Sequence, residues 1–152
     1  MNRIPVTDHF FLDEFIDPYT YSKRGARSIE LLDMRLVMGV EFLRTEAGDE
    51  HPFTINNWAT AKPGQKVYKE SGSRRFDTKT GAVWSMHKFF RGFDVKVAGM
   101  TPKEFHAFIK EREEYLIKNQ FITTLENVAF TTTWTHMDCR YTGLDHLLIV
   151  NP

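Results

Sequence analysis

Hydrophobic residues in the first third of the chain recur at the spacing of an amphipathic helix. From Ser28 onward they fall three or four positions apart, and Gly48 marks the end of the pattern. The apolar set is Ile29, Leu32, Leu36, Met38, Phe42 and Leu43. A short lead-in over residues 9–15 predicts one further helical turn before this helix.

A second helix is predicted over residues 101–118. Thr101 and Glu104 have the spacing of a capping box, and Pro102 takes the first helical position, where its missing N–H is tolerated. The stripe that this helix turns inward comprises Phe105, Phe108, Ile109, Arg112 and Leu116. The chain therefore has one helix early and another in its middle.

Between the two predicted helices, Pro52 introduces a strand over residues 53–57. Residues 59–82 then form a long loop that is rich in glycine, lysine, serine and threonine. Long loops inside compact domains are usually functional or mobile. We therefore expect this loop to contribute to a site or to move.

Strand periodicity returns after the loop. Phe93 and Val95 alternate with Asp94, which places Asp94 on the face opposite the apolar residues. From Phe121 onward two or three more strands are predicted, the last of them over residues 147–150. The order of elements predicts an α+β fold, a small antiparallel sheet that carries the candidate site and is flanked by helices.

Composition and charge limit the classes of function. The 152 residues, 41% of them hydrophobic and 14% aromatic, suffice for one domain over residues 1–152 with its own core. The single cysteine, Cys139, can form no disulfide within the chain, and we expect it to be buried. A formal net charge of zero argues against a dedicated binder of nucleic acid or of anionic membranes.

The sequence also bears on localisation. No apolar run is long enough to cross a membrane. Pro5 and Asp8 interrupt the N-terminal segment, which therefore does not resemble a signal peptide. We expect the protein to be made and kept in a cytoplasm unless another system releases it.

Three residues have the pattern of a metal site. His87 is followed by Asp94 seven positions later, and His136 lies near the end of the chain. Two imidazoles and one carboxylate suit Zn²⁺, and three protein ligands leave its fourth position open. Zinc with an open position activates water near neutral pH, which is typical of a hydrolase rather than of a structural zinc site.

The segment around His136 adds to this pattern. Strand alternation puts Trp134, His136, Asp138 and Arg140 on one face, which is not the composition of a core face. Such a face either lines a site or is the polar outer face of an edge strand. In the first case Asp138 is placed to orient the imidazole of a ligand.

These motifs resemble those of the M15 family of zinc peptidases, which includes D-alanyl-D-alanine carboxypeptidases and phage endolysins and shares its metal-site fold with the hedgehog signalling domain. The family motif Ser-x-His-x-x-Gly-x-Ala-x-Asp is matched by Ser85, His87 and Asp94, and its later Trp-x-His by Trp134 and His136. Segments at 10–15, 53–58 and 71–74 resemble the family in the same order along the chain.

The resemblance implies a fold, a cofactor and a substrate. It makes His87, Asp94 and His136 ligands of Zn²⁺, gives Arg74 the binding of a substrate carboxylate or carbonyl, and places Ser85 beside the site. The substrate would be a peptidoglycan stem peptide, and the phage-like pattern suggests a bacteriophage or prophage product. It would be made in the bacterial cytoplasm and reach the wall after release or within a virion, where other virion proteins would be partners.

The chain departs from the family motif at two informative positions. Phe90 stands where the family has glycine, and Thr133 stands where many members have the glutamate that acts as catalytic base. Threonine cannot take a proton as a carboxylate can. Glu126 and Asp138 are the candidate replacements, and the motif assigns neither of them.

Two other interpretations compete with an active peptidase, and the departures from the motif favour the first of them. The first interpretation makes the chain a catalytically inactive relative that serves as a virion component or wall-binding module. The second makes it an interaction domain without a metal, in which the spacing of the histidines and aspartate is coincidental. Whether Glu126 or Asp138 lies within hydrogen-bond reach of the open metal position is the observation that separates an enzyme from an inactive relative.

Overall fold

One five-stranded sheet forms the centre of the protein in a computed structural model that describes residues 2–152. The strands are β1 Phe53–Thr54, β2 Gly92–Val97, β3 Thr124–Glu126, β4 Thr135–Asp138 and β5 Leu148–Val150. They lie in the order β1-β2-β4-β3-β5. All neighbours are antiparallel except β3 and β5, which run parallel. The predicted α+β fold is confirmed, with this one parallel pairing added to the expected antiparallel sheet.

Five α-helices and two 3₁₀ helices surround the sheet. The α-helices are α1 Leu12–Phe15, α2 Pro18–Arg24, α3 Met34–Ala47, α4 Pro102–Lys110 and α5 Glu113–Lys118. The 3₁₀ helices span Gly25–Leu31 and Met86–Phe89. Within residues 2–152 none of the helices has the length and apolar character needed to span a bilayer.

The early helix begins later than its apolar pattern predicted. Residues from Gly25 to Leu31 form a 3₁₀ helix, and α3 starts only after Asp33. The Asp33 carboxylate accepts a hydrogen bond from the backbone N–H of Arg35 and also binds the Arg35 guanidinium. This capping contact fixes the helix start, since an aspartate at the N-cap satisfies a free N–H. The predicted end is confirmed, because Gly48 caps the helix with φ of 79°.

The second predicted helix is two helices. Thr101 and Glu104 form the expected capping box, in which each side chain accepts a hydrogen bond from the other's backbone N–H. The helical path breaks after Lys110 and resumes at Glu113, and at the break Arg112 donates to the Phe108 carbonyl. That side-chain contact replaces one bond of the helix ladder at the break.

The first predicted strand is shorter than expected, because its second half serves another purpose. β1 covers only two residues, after which the side chain of Asn56 turns to the long loop. Its amide oxygen accepts hydrogen bonds from the backbone N–H groups of Ser71 and Gly72. Residues 59–82 contain no helix or strand, as predicted, and Asn56 holds the middle of that loop at Ser71 and Gly72.

Aromatic side chains fill the core on one face of the sheet. Phe93 of β2 packs on Phe15 with ring centroids 5.0 Å apart, and Phe15 packs in turn on Phe10 at 5.3 Å. Phe105 of α4 meets Phe53 of β1 edge to face at 5.1 Å. Because side chains alternate along β2, the burial of Phe93 in this core turns Asp94 to the opposite face.

Candidate metal centre

Three elements bring the predicted ligands together. His87 lies in the 3₁₀ helix Met86–Phe89, Asp94 lies on β2 and His136 on β4. Asp94 and His136 are directly opposite each other in the antiparallel pairing of these strands. Cross-strand neighbours of this kind lie close enough for their side chains to touch. The sheet register therefore aligns two ligands, and the 3₁₀ helix supplies the third.

The three side chains meet at single atoms. Nε2 of His87 lies 3.1 Å from Oδ1 of Asp94 and 3.0 Å from Nδ1 of His136. The same Asp94 oxygen lies 2.9 Å from Nδ1 of His136. All three residues are buried, with no more than 7% of any of them exposed. This triangle of atoms is the one cluster of potential metal ligands within residues 2–152.

The outer nitrogen of each imidazole has its own acceptor. Nδ1 of His87 lies 2.6 Å from the carbonyl oxygen of Gly72, to which it must donate. Nε2 of His136 lies 3.3 Å from the carboxylate of Asp138 and donates to it. Because each outer nitrogen carries the proton, the inner nitrogen of a neutral ring presents a lone pair. Three acceptors thus face one point.

This donor set fits a divalent cation. Ligand atoms at tetrahedral positions around zinc, with bonds of about 2.0 Å, are about 3.3 Å apart. The observed separations of 2.9–3.1 Å are close to that value. Imidazole ligands whose second nitrogen binds a carboxylate or a carbonyl are the usual arrangement at zinc sites. The residues present therefore fit a divalent cation such as Zn²⁺, which His87, Asp94 and His136 would hold.

The charges of the cluster follow from burial and from these contacts. Burial lowers the pKa of His87. Burial also acts to lower the pKa of His136, but hydrogen bonds to Asp138 and Asp94 outweigh it and raise that pKa to about 9. The pKa of Asp94 lies well below its usual range, because its interactions with the two histidines outweigh its burial. Without metal, one proton on His136 is therefore held among the three acceptors near neutral pH.

Two arginines hold the carboxylates beside the cluster. Nη2 of Arg74 lies 2.7 Å from Oδ2 of Asp94, which leaves Oδ1 for the cluster. Arg140 binds Asp138 through Nε and Nη2, and its backbone N–H donates to the same carboxylate. Asp138 is fully buried, so its carboxylate is occupied by Arg140 and His136. This geometry favours Asp138 as a residue that positions His136 over its alternative assignment as a base.

The long loop supports His87 through its backbone. Gly72 lies so close to the carbonyl of Phe15 that any Cβ at this position would collide with it. The neighbouring N–H of Ser73 donates to that same carbonyl at 2.7 Å, and Asn56 binds the N–H of Gly72. These contacts fix the Gly72 carbonyl that accepts from His87. The expectation that the loop contributes to a site is thus met in its middle part, at Gly72 and Ser73.

Phe90 occupies the motif position at which the resemblance leads one to expect glycine. It ends the 3₁₀ helix with φ of 59° and ψ of 30°, in the left-handed region. Glycine adopts this conformation freely, whereas other residues lose about 1–2 kcal/mol there. Its ring packs against the hydrophobic core, which offsets part of that cost. The backbone turn between His87 and Asp94 is therefore kept although the glycine is not.

A cleft of about 490 Å³ opens above the three ligands. Arg74, Ser85 and Glu126 line it, as do Trp84, Trp134 and Arg140. Glu126 is at the end of β3, and within residues 2–152 its carboxylate forms no hydrogen bond or ion pair. Its negative charge acts on His136 and Arg140, and this places Glu126 in the electrostatic environment of the cluster.

Other sequence expectations have mixed outcomes. β4 is an inner strand with four buried residues, so the alternative of a polar face on an exposed edge strand is wrong. Thr133 does not line the cleft and lies in adjoining cavities instead. His146 is exposed and pairs with Asp145. Cys139 is buried as expected, and burial raises its thiol pKa to about 12.

Sequence reasoning missed the roles of two residues. The strand pattern placed Arg140 on the site face but gave it no role, although it fixes Asp138 and lines the cleft. The contact of the Gly72 carbonyl with His87 had no signal in side-chain chemistry, because it is made by the backbone.

Comparison of the chain with protein-family models, with curated proteins and with solved structures found no match, so the interpretation of the site rests on its geometry and its motif.

Proposed function

We infer that the protein is a zinc-dependent peptidase that hydrolyses a peptide bond in bacterial peptidoglycan. The observation that carries this proposal is the meeting of His87, Asp94 and His136 at the floor of an open cleft that also contains Glu126. Three protein ligands beneath a cleft are typical of catalytic zinc, whereas structural zinc is enclosed by four. A bound Zn²⁺ would polarise the scissile carbonyl and lower the pKa of water, so that the water can lose a proton and attack near neutral pH.

Glu126 is the residue that we assign as general base and acid. It is the one carboxylate lining the cleft, within residues 2–152, that is not already held by an arginine. A free carboxylate can accept a proton from the attacking water and return it to the leaving amine. Asp138 cannot do this while its oxygens are bound by His136 and Arg140. Glu126 would thus replace the family's glutamate, whose position is taken by Thr133.

The arginines beside the cleft would act on the substrate and on the ligands. Arg140 uses Nε and Nη2 to hold Asp138, and its Nη1 has no hydrogen-bond partner within residues 2–152. A guanidinium at the cleft wall can stabilise the negative charge that develops on the carbonyl oxygen during attack. Arg74 lines the same cleft while holding Asp94, so it orients a ligand and offers positive charge to a substrate carboxylate.

The choice of peptidoglycan rests on the resemblance to the M15 peptidases, supported by the shape of the site. The cleft is open, and Trp84 at its wall is 72% exposed, as suits a polymer that must approach from outside. The stem peptides of the wall are the substrates that the resemblance implies. A phage or prophage origin, with access to the wall after host lysis or from a virion, belongs to the same proposal.

The alternative function is a catalytically inactive relative that binds the wall or forms part of a virion. The observation that favours it is Thr133, since the position of the family's base holds no carboxylate and lies outside the cleft. The presence of Glu126 in the cleft favours the enzyme, because an unpaired carboxylate beside a complete ligand set has no evident structural use.

Digestion of purified peptidoglycan tests the proposal directly. The protein is loaded with Zn²⁺ and incubated with sacculi and with soluble stem peptides, and the products are identified by mass spectrometry. We expect new amino and carboxyl ends, lost on treatment with a chelator and restored by Zn²⁺. Binding of sacculi without any cleavage, by protein that holds zinc, would support the inactive relative and reject the peptidase.

A further inference from the structure

A second cavity adjoins the metal cleft. It has a volume of about 650 Å³, and it shares Arg74, Asp94 and Trp134 with the cleft. We call it the lysine groove, after Lys66, Lys69 and Lys96, which line it together with Tyr68. Because the two cavities share residues, a peptide lying in the cleft can continue into the groove.

Among residues 2–152 the three lysines of the groove form no ion pair with an acidic side chain. Two carboxylates line the groove, and both are already engaged. Glu70 accepts hydrogen bonds from the hydroxyl groups of Thr78 and Thr80, at 3.2 and 2.9 Å. Asp94 is held by Arg74 and by the histidines. The positive charge of the three lysines is therefore not neutralised by an ion pair within residues 2–152.

Lys96 is the most fixed of the three lysines. It lies two residues after Asp94 on β2 and therefore on the same face of the sheet. Its ammonium lies 4.1 Å from the centroid of the Tyr68 ring, 5.9 Å from that of Trp134 and 3.4 Å from the Ser71 hydroxyl. The two rings hold the cation in place and wall the groove with apolar surface.

An anion bound in the groove would interact favourably with the ammonium group of Lys96. Lys96 is half-buried, and Lys66 and Arg74 line the same groove, so several positive charges lie close together there. A half-buried ammonium close to other cations interacts favourably with a carboxylate that also excludes water.

We propose that the lysine groove is a subsite for a free carboxylate of the substrate peptide, with Lys96 as its main contact. Such a subsite would make the protein prefer stem peptides whose acidic residue is not amidated. The proposal deepens the proposed peptidase function and rests on it, because it assumes that the peptide reaches the groove from the metal cleft. It adds a determinant of specificity to a site whose chemistry lies elsewhere.

Two matched peptides test the subsite. One is a synthetic stem peptide with a free carboxylate at its acidic residue, and the other is the same peptide with that carboxylate amidated. Binding is measured by calorimetry on zinc-loaded Glu126→Gln protein, and cleavage by chromatography on the parent protein. Each measurement is repeated after adding Lys96→Met to the protein that it uses, which we call its parent background. It is also repeated after adding Lys118→Met, a control at an exposed lysine of α5 that lines neither cavity.

We expect the free carboxylate to improve binding about fivefold, the scale of one partly exposed charge pair. Lys96→Met should abolish this preference and leave the amidated peptide unaffected, whereas Lys118→Met should change neither. Equal affinity of the parent background for both peptides would overturn the subsite. Cleavage of both peptides at equal rates would reject the subsite but keep the peptidase function. Selective binding of the peptide with the free carboxylate, without cleavage of either peptide, would keep the subsite but reject the peptidase function.

Discussion

Nε2 of His136 lies 3.3 Å from the carboxylate of Asp138, while Nδ1 of the same ring lies 2.9 Å from Asp94. One imidazole thus joins a buried carboxylate behind the site to the ligand triangle within it. Asp138 is fully buried and is itself bound by Arg140. The strand that carries His136 therefore also supplies the group that sets its tautomer and its orientation.

The contact predicts a specific effect of Asp138→Asn. The amide preserves size but removes the charge that keeps the proton on Nε2, so we expect zinc affinity to fall about 10- to 100-fold. The ligands remain, and saturating zinc should therefore still bind at one ion per chain. Competition with a chromophoric chelator measures the affinity. An unchanged affinity would show that the Asp138 contact does not tune the metal.

Replacement of a ligand should remove the site. We expect about one zinc per chain in the parent protein and none in His87→Ala, because the two remaining ligands cannot retain the ion through purification. His146→Ala is the matched control, since His146 is exposed and does not line the cleft. Elemental analysis of protein purified without chelator gives the ratio. Retention of zinc in His87→Ala would place the metal elsewhere.

Zinc binding should release a proton near neutral pH. Metal-free His136 has a pKa of about 9, so it is charged at pH 7.5 and must lose a proton to become a ligand. The pKa of His87 is lowered, so that ring is already neutral. We expect about one proton released per zinc, and an apparent affinity that rises with pH until about pH 9. Calorimetry in two buffers of different ionisation enthalpy counts the protons, and a count of zero would contradict this protonation state.

The same raised pKa gives the sign of a stability change in metal-free protein. The pKa of His136 is raised above its ordinary value of about 6.5, so the contribution of this residue to the free energy of unfolding is complete below pH 6.5. The contribution is lost as the pH rises through about 9. Urea unfolding of metal-free protein at several pH values should show this loss. In His136→Gln the loss over that interval should be much smaller.

Local patterns predicted most of the fold, and contacts from distant parts of the chain explain the differences. The capping box at Thr101 and the end of α3 at Gly48 were predictable, because each depends on residues a few positions apart. The start of α3 was missed, because Asp33 binds both Arg35 within the helix and Arg91 from beyond the long loop, and only the first of these contacts is local. β1 is short because Asn56 binds backbone groups 15 and 16 residues later, which no periodicity reveals.

The cluster of His87, Asp94 and His136 was predictable, whereas its surroundings were not. His87 and Asp94 are close in sequence, and the alternation in each strand correctly gave the faces of Asp94 and His136. The choice between Glu126 and Asp138 needed the structure, because both are acidic residues on neighbouring strands. Only the tertiary contacts of Asp138 with Arg140 and His136, and the exposure of Glu126 to the cleft, distinguish the two.

The assignment of Glu126 predicts a separation of catalysis from metal binding. Glu126→Gln should keep one zinc per chain and lower kcat/KM by about 10²- to 10⁴-fold, the usual contribution of a general base. Glu50→Gln is the control, an acidic residue that is exposed and does not line the cleft. Hydrolysis of a soluble stem peptide gives the rates. Full activity in Glu126→Gln would remove Glu126 from the mechanism and leave the base to be found among other groups.

The backbone contact at Gly72 makes the last prediction, because it couples folding to the metal site. In Gly72→Ala the new Cβ collides with the Phe15 carbonyl, so the loop must move and carry the Gly72 carbonyl away from His87. We expect a loss of about 1–3 kcal/mol in the free energy of unfolding, as for other overpacked sites, together with weaker zinc binding. Gly64→Ala is the matched control. Gly64 has φ of 84° and open space around it, so alanine there is strained but leaves the site alone. Chemical denaturation and zinc titration of both variants give the comparison. If both lose stability but Gly72→Ala binds zinc as tightly as Gly64→Ala, the loop does not support His87.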